Sequence, residues 1–215
     1  MKSVCSAMKT LIFDFDGTLG DSFELAMDIA VEITGMPRAS AEKIDHLRRL
    51  PLLKAVKEIG VPFRKIPGLI VKGRQRMLER MNEVAPFDGI PEVLSSLHAA
   101  DYHLLVISSN SEKNVRSFLR TNSLEPYFDG VYGSASVFNK ALTLKKVMRR
   151  NKLEAADCFY IGDEVRDIVA ATRVGVEPVA VAWGYQAAEA LQEYHPYALL
   201  NHPQELLRIF PVKKV

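Results

Sequence analysis

The chain has little cysteine. Its 215 residues include only Cys5 and Cys158, and these two positions fit no metal-binding spacing. Cys158 lies in an apolar run, so we expect it to be a small buried residue. Cys5 lies in a short, polar N-terminal extension that lacks the length and the apolar centre of a signal peptide. These features favour the reducing cytoplasm as the compartment.

Long apolar runs and an excess of one charge are also missing. No stretch approaches the roughly 20 apolar residues that a membrane-spanning helix needs. The net charge is only +2, and nothing resembles the concentrated basic face of a nucleic-acid-binding protein. The chain is long enough for one substantial core or for a core domain with a smaller companion. We therefore expect no membrane or nucleic-acid partner, and either a monomer or a homodimer.

Two carboxylates follow the first apolar segment. Residues 11–13 favour a buried strand, and Asp14 and Asp16 come directly after it. If the backbone stays extended, both side chains point the same way, and Gly17 then permits a sharp turn. Neighbouring carboxylates need a shared proton or a cation. The pair indicates a site for Mg²⁺ and phosphate chemistry, although a solvated acidic turn is the simpler alternative for this motif alone.

Strand and helix patterns alternate through most of the chain. This alternation is typical of an α/β protein with a doubly wound, Rossmann-like parallel sheet covered by helices on both faces. Residues 20–84 differ, because they show three or four helical patterns and no convincing strand. We therefore predict a core domain of residues 1–19 and 85–215. The helical residues 20–84 form an insertion that stands over the strand ends.

Polar side chains gather where the predicted strands end, which is where open parallel sheets bind ligands. These residues are Ser108, Ser109 and Asn110 after one strand, Asp163, Glu164 and Asp167 after another, and Lys140 between them in the chain. Each has an ordinary alternative. The serines and Asp163 can cap helices, Lys140 can be a solvated lysine, and Asp167 can pair with a nearby arginine. The set and its order, rather than any one member, favour a functional site.

This ordered set resembles the haloacid dehalogenase superfamily of phosphohydrolases. The family's motifs match residues 14–19, 106–110 and 161–167. Lys140 stands where the family has its lysine, although Ala141 replaces the proline that often follows; Lys145 and Lys146 are alternatives for that lysine. Residues 181–185 are similar to the corresponding run of phosphoglycolate-phosphatase-like members. The insertion has the position and the helical character of the family's small cap domain.

The resemblance implies a role for each motif residue. Asp14 would be the nucleophile that forms an aspartyl-phosphate, and Asp16 would be the general acid and base. Mg²⁺ would be bound by Asp14, by the backbone carbonyl of Asp16 and by Asp163. The residues expected to bind phosphate or substrate are Thr18, Ser108, Ser109, Asn110 and Lys140. Glu164 and Asp167 are expected to orient the residues that contact the substrate or the metal.

Several activities fit these residues. The leading hypothesis is a Mg²⁺-dependent hydrolase of a small phosphorylated metabolite, with 2-phosphoglycolate as one candidate. Asp16 favours this over dehalogenation, because a halide leaves without a proton. The alternatives are a phosphomutase or a phosphonate hydrolase on the same scaffold, or a non-catalytic phosphate-binding regulatory protein. The insertion's candidates for binding an anionic substrate tail are Arg48, Arg49, Lys54 and Arg64, each of which is individually expected to be a solvated surface charge.

Overall fold

The computed structural model describes residues 9–133 and 139–212, apart from the side chains of Leu52 and Leu53, and Cys5 lies outside these residues. The strands are β1 (Thr10–Phe13), β2 (Gly20–Asp21), β3 (Ala85–Pro86), β4 (His103–Ile107), β5 (Gly130–Tyr132), β6 (Cys158–Gly162), β7 (Glu177–Val181) and β8 (Ala198–Leu200). Six of them form one parallel sheet in the order β5-β4-β1-β6-β7-β8.

The helices before β4 are α1 (Phe23–Thr34), α2 (Ala41–Arg48), α3 (Leu52–Ile59), α4 (Ile66–Glu79) and α5 (Ile90–Ala99). Those after it are α6 (Glu112–Thr121), α7 (Lys140–Asn151), α8 (Val165–Arg173), α9 (Ala188–Gln192) and α10 (Leu206–Ile209). Short 3₁₀ helices cover Phe63–Lys65, Met81–Glu83, Glu125–Tyr127, Ala155–Asp157 and Pro203–Glu205. Within the described residues, no helix has both the length and the apolarity to cross a membrane.

Strand β1 lies at the centre of the sheet, paired in parallel with β4 on one side and β6 on the other. Its apolar side chains are fully buried, as expected for a strand that is covered on both faces. The chain passes from β1 to β4 and β5, and then crosses to β6, β7 and β8. The strand order therefore reverses between β1 and β6, and such a reversal is where open α/β sheets bind ligands. The fold class predicted from the sequence is confirmed.

The two faces of the sheet bury separate apolar clusters, because successive strand residues point to opposite faces. Leu11 and Phe13 pack on one side with residues of α5 and α6. Ile12 packs on the other side with residues of α7 and with Cys158. Cys158 is completely buried, as expected, and burial raises the pKa of its thiol to about 11.

The helical insertion joins the rest of the protein through a two-stranded antiparallel ribbon of β2 and β3, in which Gly20 lies opposite Pro86 and Asp21 opposite Ala85. Strand β2 falls in the segment for which no strand was predicted, because two residues are too few to show a period. Helices α1 and α4 pack against each other and send Leu25, Ile29 and Met77 into the main core. Helix α2 has no buried residue. Helices α1 and α4 therefore provide the insertion's contacts with the main apolar core.

Candidate active site

Asp14 lies directly after β1 and is almost completely buried. Its N–H donates to the Ile161 carbonyl at 2.8 Å, which ties Asp14 to β6, and its Oδ1 accepts the Phe15 N–H at 2.8 Å. Gly17 follows with φ +78°, and a Cβ at this position would lie 2.2 Å from Asp163 Oδ2. The turn therefore requires glycine, and this close packing joins the loops after β1 and β6.

Asp16 has neutral hydrogen-bond donors around its carboxylate. Ser22 Oγ donates to Oδ1 at 2.9 Å, and Asn110 Nδ2 donates to Oδ2 at 3.1 Å. Burial and then repulsion from Asp14 raise the pKa of Asp16 to about 6, and the bonds from Ser22 and Asn110 oppose this rise. A carboxyl group with this pKa exchanges its proton near neutral pH, which suits general acid–base chemistry.

Asp163 is fully buried after β6 and also accepts from neutral donors. Thr18 Oγ1 donates to Oδ1 at 2.8 Å, and the Tyr185 N–H donates to Oδ2 at 2.7 Å. Burial, followed by repulsion from neighbouring carboxylates of which Glu164 is the strongest, raises the pKa of Asp163 well above its usual value. In the part of the chain that the structure describes, no basic side chain pairs with Asp163. The protein thus does not balance this charge.

Lys140 begins α7 and lies buried between two carboxylates. Its Nζ is 2.5 Å from Asp14 Oδ2 and also contacts Asp167 Oδ1. Burial alone would lower the pKa of Lys140, but the two carboxylates outweigh burial and raise it well above its usual value. The ammonium group is therefore charged. Lys145 and Lys146, the alternatives from the sequence, are exposed on the same helix. The fold brings Lys140, and not these two, to the carboxylates.

Five carboxyl groups meet at this edge of the sheet, those of Asp14, Asp16, Asp163, Glu164 and Asp167. The carboxylate oxygens of Asp14, Glu164 and Asp167 lie within 4.8 Å of one another. Arg166 Nε donates to Glu164 Oε2 at 2.6 Å, and Lys140 pairs with Asp14 and Asp167. Acidic groups therefore outnumber the basic ones among the described residues. A buried group of oxygen ligands with excess negative charge fits a hard divalent cation.

The loop after β4 approaches Asp16 from the other side. Ser111 caps α6, because its Oγ accepts the Asn114 N–H at 3.1 Å. Ser108 is therefore not the cap; it is fully buried, and its Oγ accepts the Asn110 N–H at 3.0 Å. The Asn110 side chain is fixed by Asn114 Nδ2 at 2.8 Å while it donates to Asp16. This loop positions Asp16 as well as presenting a serine at the strand end.

Arg74 on α4 brings a positive charge from the insertion to the site, and it was not among the predicted residues. Its guanidinium donates to the Ser109 carbonyl, and Asn114 Nδ2 donates to the Arg74 carbonyl at 2.9 Å. Burial lowers the pKa of Arg74, and attraction to Asp16 opposes this effect. Nothing in the sequence separates Arg74 from the exposed Arg76 two positions later. Only the packing of α4 against α6 does so.

The basic residues predicted in the insertion lie elsewhere. Arg48 Nε and Nη2 donate to the carbonyls of Tyr185 and Gly184 at 2.9 and 2.7 Å, so this side chain attaches α2 to the core. The remaining three, Arg49, Lys54 and Arg64, are exposed. Arg74 is therefore the insertion's arginine that faces the carboxylates in the described structure.

Known proteins share both the sequence pattern and the fold of this chain. A family model described as haloacid dehalogenase-like hydrolase matches residues 11–181. The chain belongs to this family. It is 30% identical to a phosphoglycolate phosphatase from Synechococcus elongatus, over 94% of this chain and 96% of the relative. It is 26% identical to a 5′-nucleotidase from Pseudomonas aeruginosa, over 91% and 92% of the two chains.

A solved structure of a haloacid dehalogenase-like family hydrolase from Streptococcus pneumoniae has the same fold. Its TM-score is 0.79 at 24% identity, and the match covers 94% of this chain and 98% of that one. The family predicted from the motifs is thus confirmed. In this haloacid dehalogenase-like hydrolase, the predicted residues that come together around Asp14 are Asp16, Lys140, Glu164 and Asp167. Thr18 contacts Asp163, and Asn110 contacts Asp16.

Replacing Ser22 with alanine should move the alkaline limb of the pH profile. The Ser22 hydroxyl stabilises ionised Asp16, so its loss raises the pKa of Asp16 and keeps the group protonated to higher pH. We expect the alkaline limb of kcat/KM to shift upward by about half a pH unit, the effect of losing one hydrogen bond. Ser96→Ala is the control, because Ser96 Oγ donates to a helix carbonyl remote from these carboxylates. If the alkaline limb in Ser22→Ala stayed at the same pH or moved to lower pH, Asp16 would not be the acid that sets this limb.

Proposed function

We propose that this chain is a Mg²⁺-dependent phosphomonoester hydrolase that acts on a small phosphorylated metabolite through an aspartyl-phosphate. One observation carries the proposal. A buried carboxylate, Asp14, lies 2.5 Å from the ammonium of Lys140, and two residues along the chain Asp16 has a pKa of about 6. A nucleophile, an anion-binding cation and a proton carrier are the groups that two-step phosphate transfer needs.

Asp14 is the nucleophile in this mechanism. Its carboxylate oxygen attacks phosphorus, and the bond between phosphorus and the leaving oxygen breaks. The bond from the Phe15 N–H holds the Asp14 carboxylate in place. Lys140 contacts the other Asp14 oxygen, so its ammonium also lies where it can bind a phosphoryl oxygen. Ser108 and the N–H groups of its loop provide further donors at the end of the neighbouring strand.

Asp16 carries the proton in both steps. In its acid form it protonates the leaving alcohol, and the resulting carboxylate then accepts a proton from the water that attacks the aspartyl-phosphate. A pKa of about 6 leaves both forms accessible near neutral pH. The neutral donors Ser22 and Asn110 keep the carboxyl group oriented without fixing its charge.

Mg²⁺ is the cation that we assign to the excess negative charge. Glu164 is paired with Arg166, and Asp167 with Lys140, whereas Asp163 has only neutral donors. Since each carboxylate oxygen can accept more than one partner, Asp163 can bind a cation while it keeps these bonds. The ligands would be Asp14, the Asp16 carbonyl and Asp163. When bound, the ion would neutralise charge on the phosphoryl group.

We further propose that residues 20–84 act as a cap over a core domain of residues 1–19 and 85–215. The β2–β3 ribbon brings the two ends of the insertion together, so the chain enters and leaves the insertion at one place. Such a cap would exclude water and strengthen the electrostatic contacts beneath it. The names of the two curated relatives make 2-phosphoglycolate and nucleotides the first substrates to test.

Replacing Asp14 with asparagine tests the nucleophile. With Mg²⁺ and p-nitrophenyl phosphate, we expect the variant to lose at least about a thousandfold of kcat, since no nucleophilic oxygen remains. Rapid quenching and mass spectrometry should detect a phosphorylated wild-type chain and none in Asp14→Asn. Asp45→Asn is the control, because Asp45 is exposed on α2 and should keep full activity. Equal turnover by Asp14→Asn and the wild type would refute the mechanism.

Mg²⁺ binding should depend on Asp163 more than on Glu164. Titration calorimetry without substrate should show at least about a tenfold loss of Mg²⁺ affinity in Asp163→Asn, because a ligand charge is removed. Glu164→Gln should have a smaller effect, since Arg166 already balances that carboxylate. If Glu164→Gln weakened binding as much as Asp163→Asn, the cation would belong to the group of Asp14, Glu164 and Asp167 instead.

Arg74 should bind the phosphoryl group of the substrate when the cap is closed. Arg74→Ala is expected to raise KM by about tenfold while kcat changes less, because a guanidinium contact to an anion supplies binding energy. Arg74→Lys should restore part of the loss. Arg76→Ala is the matched control, since Arg76 is exposed and pairs with Glu32 and Glu79. A similar KM effect from both alanine variants would exclude a specific role for Arg74.

A further inference from the structure

An apolar cavity of about 560 Å³ lies inside the helical insertion. Side chains from α1, α2, α3 and α4 line it, and most of them are aliphatic. The core contributes Glu164, Tyr185 and Gln186 to its wall. Its volume is within the range of about 300–1,000 Å³ that is usual for sites enclosing a drug-sized ligand. It is far larger than a two-carbon acid needs.

The helices that surround the cavity direct apolar side chains into it. On α1, Leu25 and Ile29 are buried in the main core, whereas Met27 and Ala30 line the cavity. Ile44 and Leu47 of α2 line the cavity too, although α2 has no buried residue. Apolar side chains around an open apolar space gain stability when an apolar ligand fills that space. The helices of the insertion therefore surround an open apolar space and do not fill it with their own side chains.

The polar side chains in the cavity wall already have partners within the protein. Arg38 pairs with Glu24 and Asp28 of α1, and Arg48 donates to backbone carbonyls of the core. Gln186 bonds to backbone groups at both ends of its amide. Among the described residues of the wall, no basic side chain remains for a substrate carboxylate. A carboxylate placed here would be buried without a partner, which is unfavourable.

The cavity adjoins the proposed site of phosphate transfer, because two residues of its wall contact that site. Tyr185, in its wall, has its hydroxyl 2.9 Å from Ser22 Oγ, which in turn donates to Asp16. Glu164, also in its wall, belongs to the buried carboxylate group that contains Asp14. A molecule with its phosphoryl group at Asp14 could thus extend its leaving group into the cavity.

We propose that this cavity binds the leaving group of the substrate, and that this group is uncharged and apolar. The substrate class is then the phosphate monoester of a hydrophobic alcohol or phenol, rather than 2-phosphoglycolate. This inference rests on the proposed phosphomonoester hydrolase function, and it names the substrate of that same site. The phosphate binds at the strand ends, and the hydrocarbon part fills the space enclosed by α1, α2, α3 and α4.

A series of alkyl phosphates tests the proposal. With the wild type and Mg²⁺, kcat/KM should rise about threefold per added methylene from ethyl to octyl phosphate. Octyl phosphate should exceed 2-phosphoglycolate by at least tenfold. Ala30→Phe fills the cavity from α1, and Ala55→Phe fills it from α3 should the first variant not fold. In either variant, kcat/KM should no longer rise from ethyl to octyl phosphate, because the added methylenes have no open space to fill. Ala41→Phe is the control, since Ala41 is exposed on α2 outside the cavity.

Calorimetric binding of octyl phosphate and inorganic phosphate to the same proteins separates the two proposals. If octyl phosphate binds more tightly than phosphate in the wild type and in Ala41→Phe but not in Ala30→Phe, the cavity proposal is supported even if no ester is hydrolysed. If 2-phosphoglycolate is hydrolysed and chain length has no effect, the cavity proposal fails and the phosphatase function stands. If a protein segment occupied the cavity, chain length would also have no effect, and the cavity proposal would fail.

Discussion

The burial of several carboxyl groups beside one another is the constraint on which the rest of the structure depends. For Asp16, the rise in pKa from 3.8 to about 6 is on the order of 2–3 kcal/mol of unfavourable free energy when the group is ionised above that pH. Asp163 has a raised pKa for the same first reason, burial. Folding must offset this cost, which comes first from burial and then from repulsion, with the apolar core of the sheet. The carboxyl groups of the site therefore reduce the stability of the folded protein, while they provide the groups that its chemistry needs.

The fold separates the carboxylates into two kinds. Asp14, Glu164 and Asp167 each pair with a basic side chain, either Lys140 or Arg166. Burial still raises the pKa of Asp167 to about 6, and attraction to Lys140 opposes this rise. Asp16 and Asp163 have only neutral donors in the described structure, so their charge depends on what else is present. A proton can neutralise Asp16, and a cation can neutralise Asp163. This division explains how five acids at one edge can have different functions.

The sequence predicted the strands that are followed by site residues, because each strand is an apolar run that ends in polar residues. It also predicted Lys140, but only the fold could separate it from Lys145 and Lys146, since burial at the start of α7 is a tertiary property. Arg74 was missed for a similar reason. Its role depends on α4 packing against α6, and a local pattern contains no information about that contact. The two-residue strands of the ribbon were too short to give a periodic signal.

The loop of residues 184–187 connects helix α2 to the candidate active site. The Tyr185 N–H donates to Asp163, while the carbonyls of Gly184 and Tyr185 accept from Arg48 of α2. The N–H of Ala187 donates to the Arg48 carbonyl at 3.0 Å, so backbone and side chain attach α2 to the same loop. Gly184 has no room for a side chain, because a Cβ there would lie 2.2 Å from the Gly17 carbonyl oxygen.

This packing has a consequence for movement of the insertion. If α2 moves away from the core, either its bonds to residues 184–187 break or the loop moves with it. In the second case the Tyr185 N–H leaves Asp163, and the buried carboxylate loses one of its two neutral donors. Asp163 would then be stabilised even less without a cation. Under the proposed function, movement of this loop together with the insertion would therefore couple opening to cation binding at Asp163 through the Tyr185 N–H.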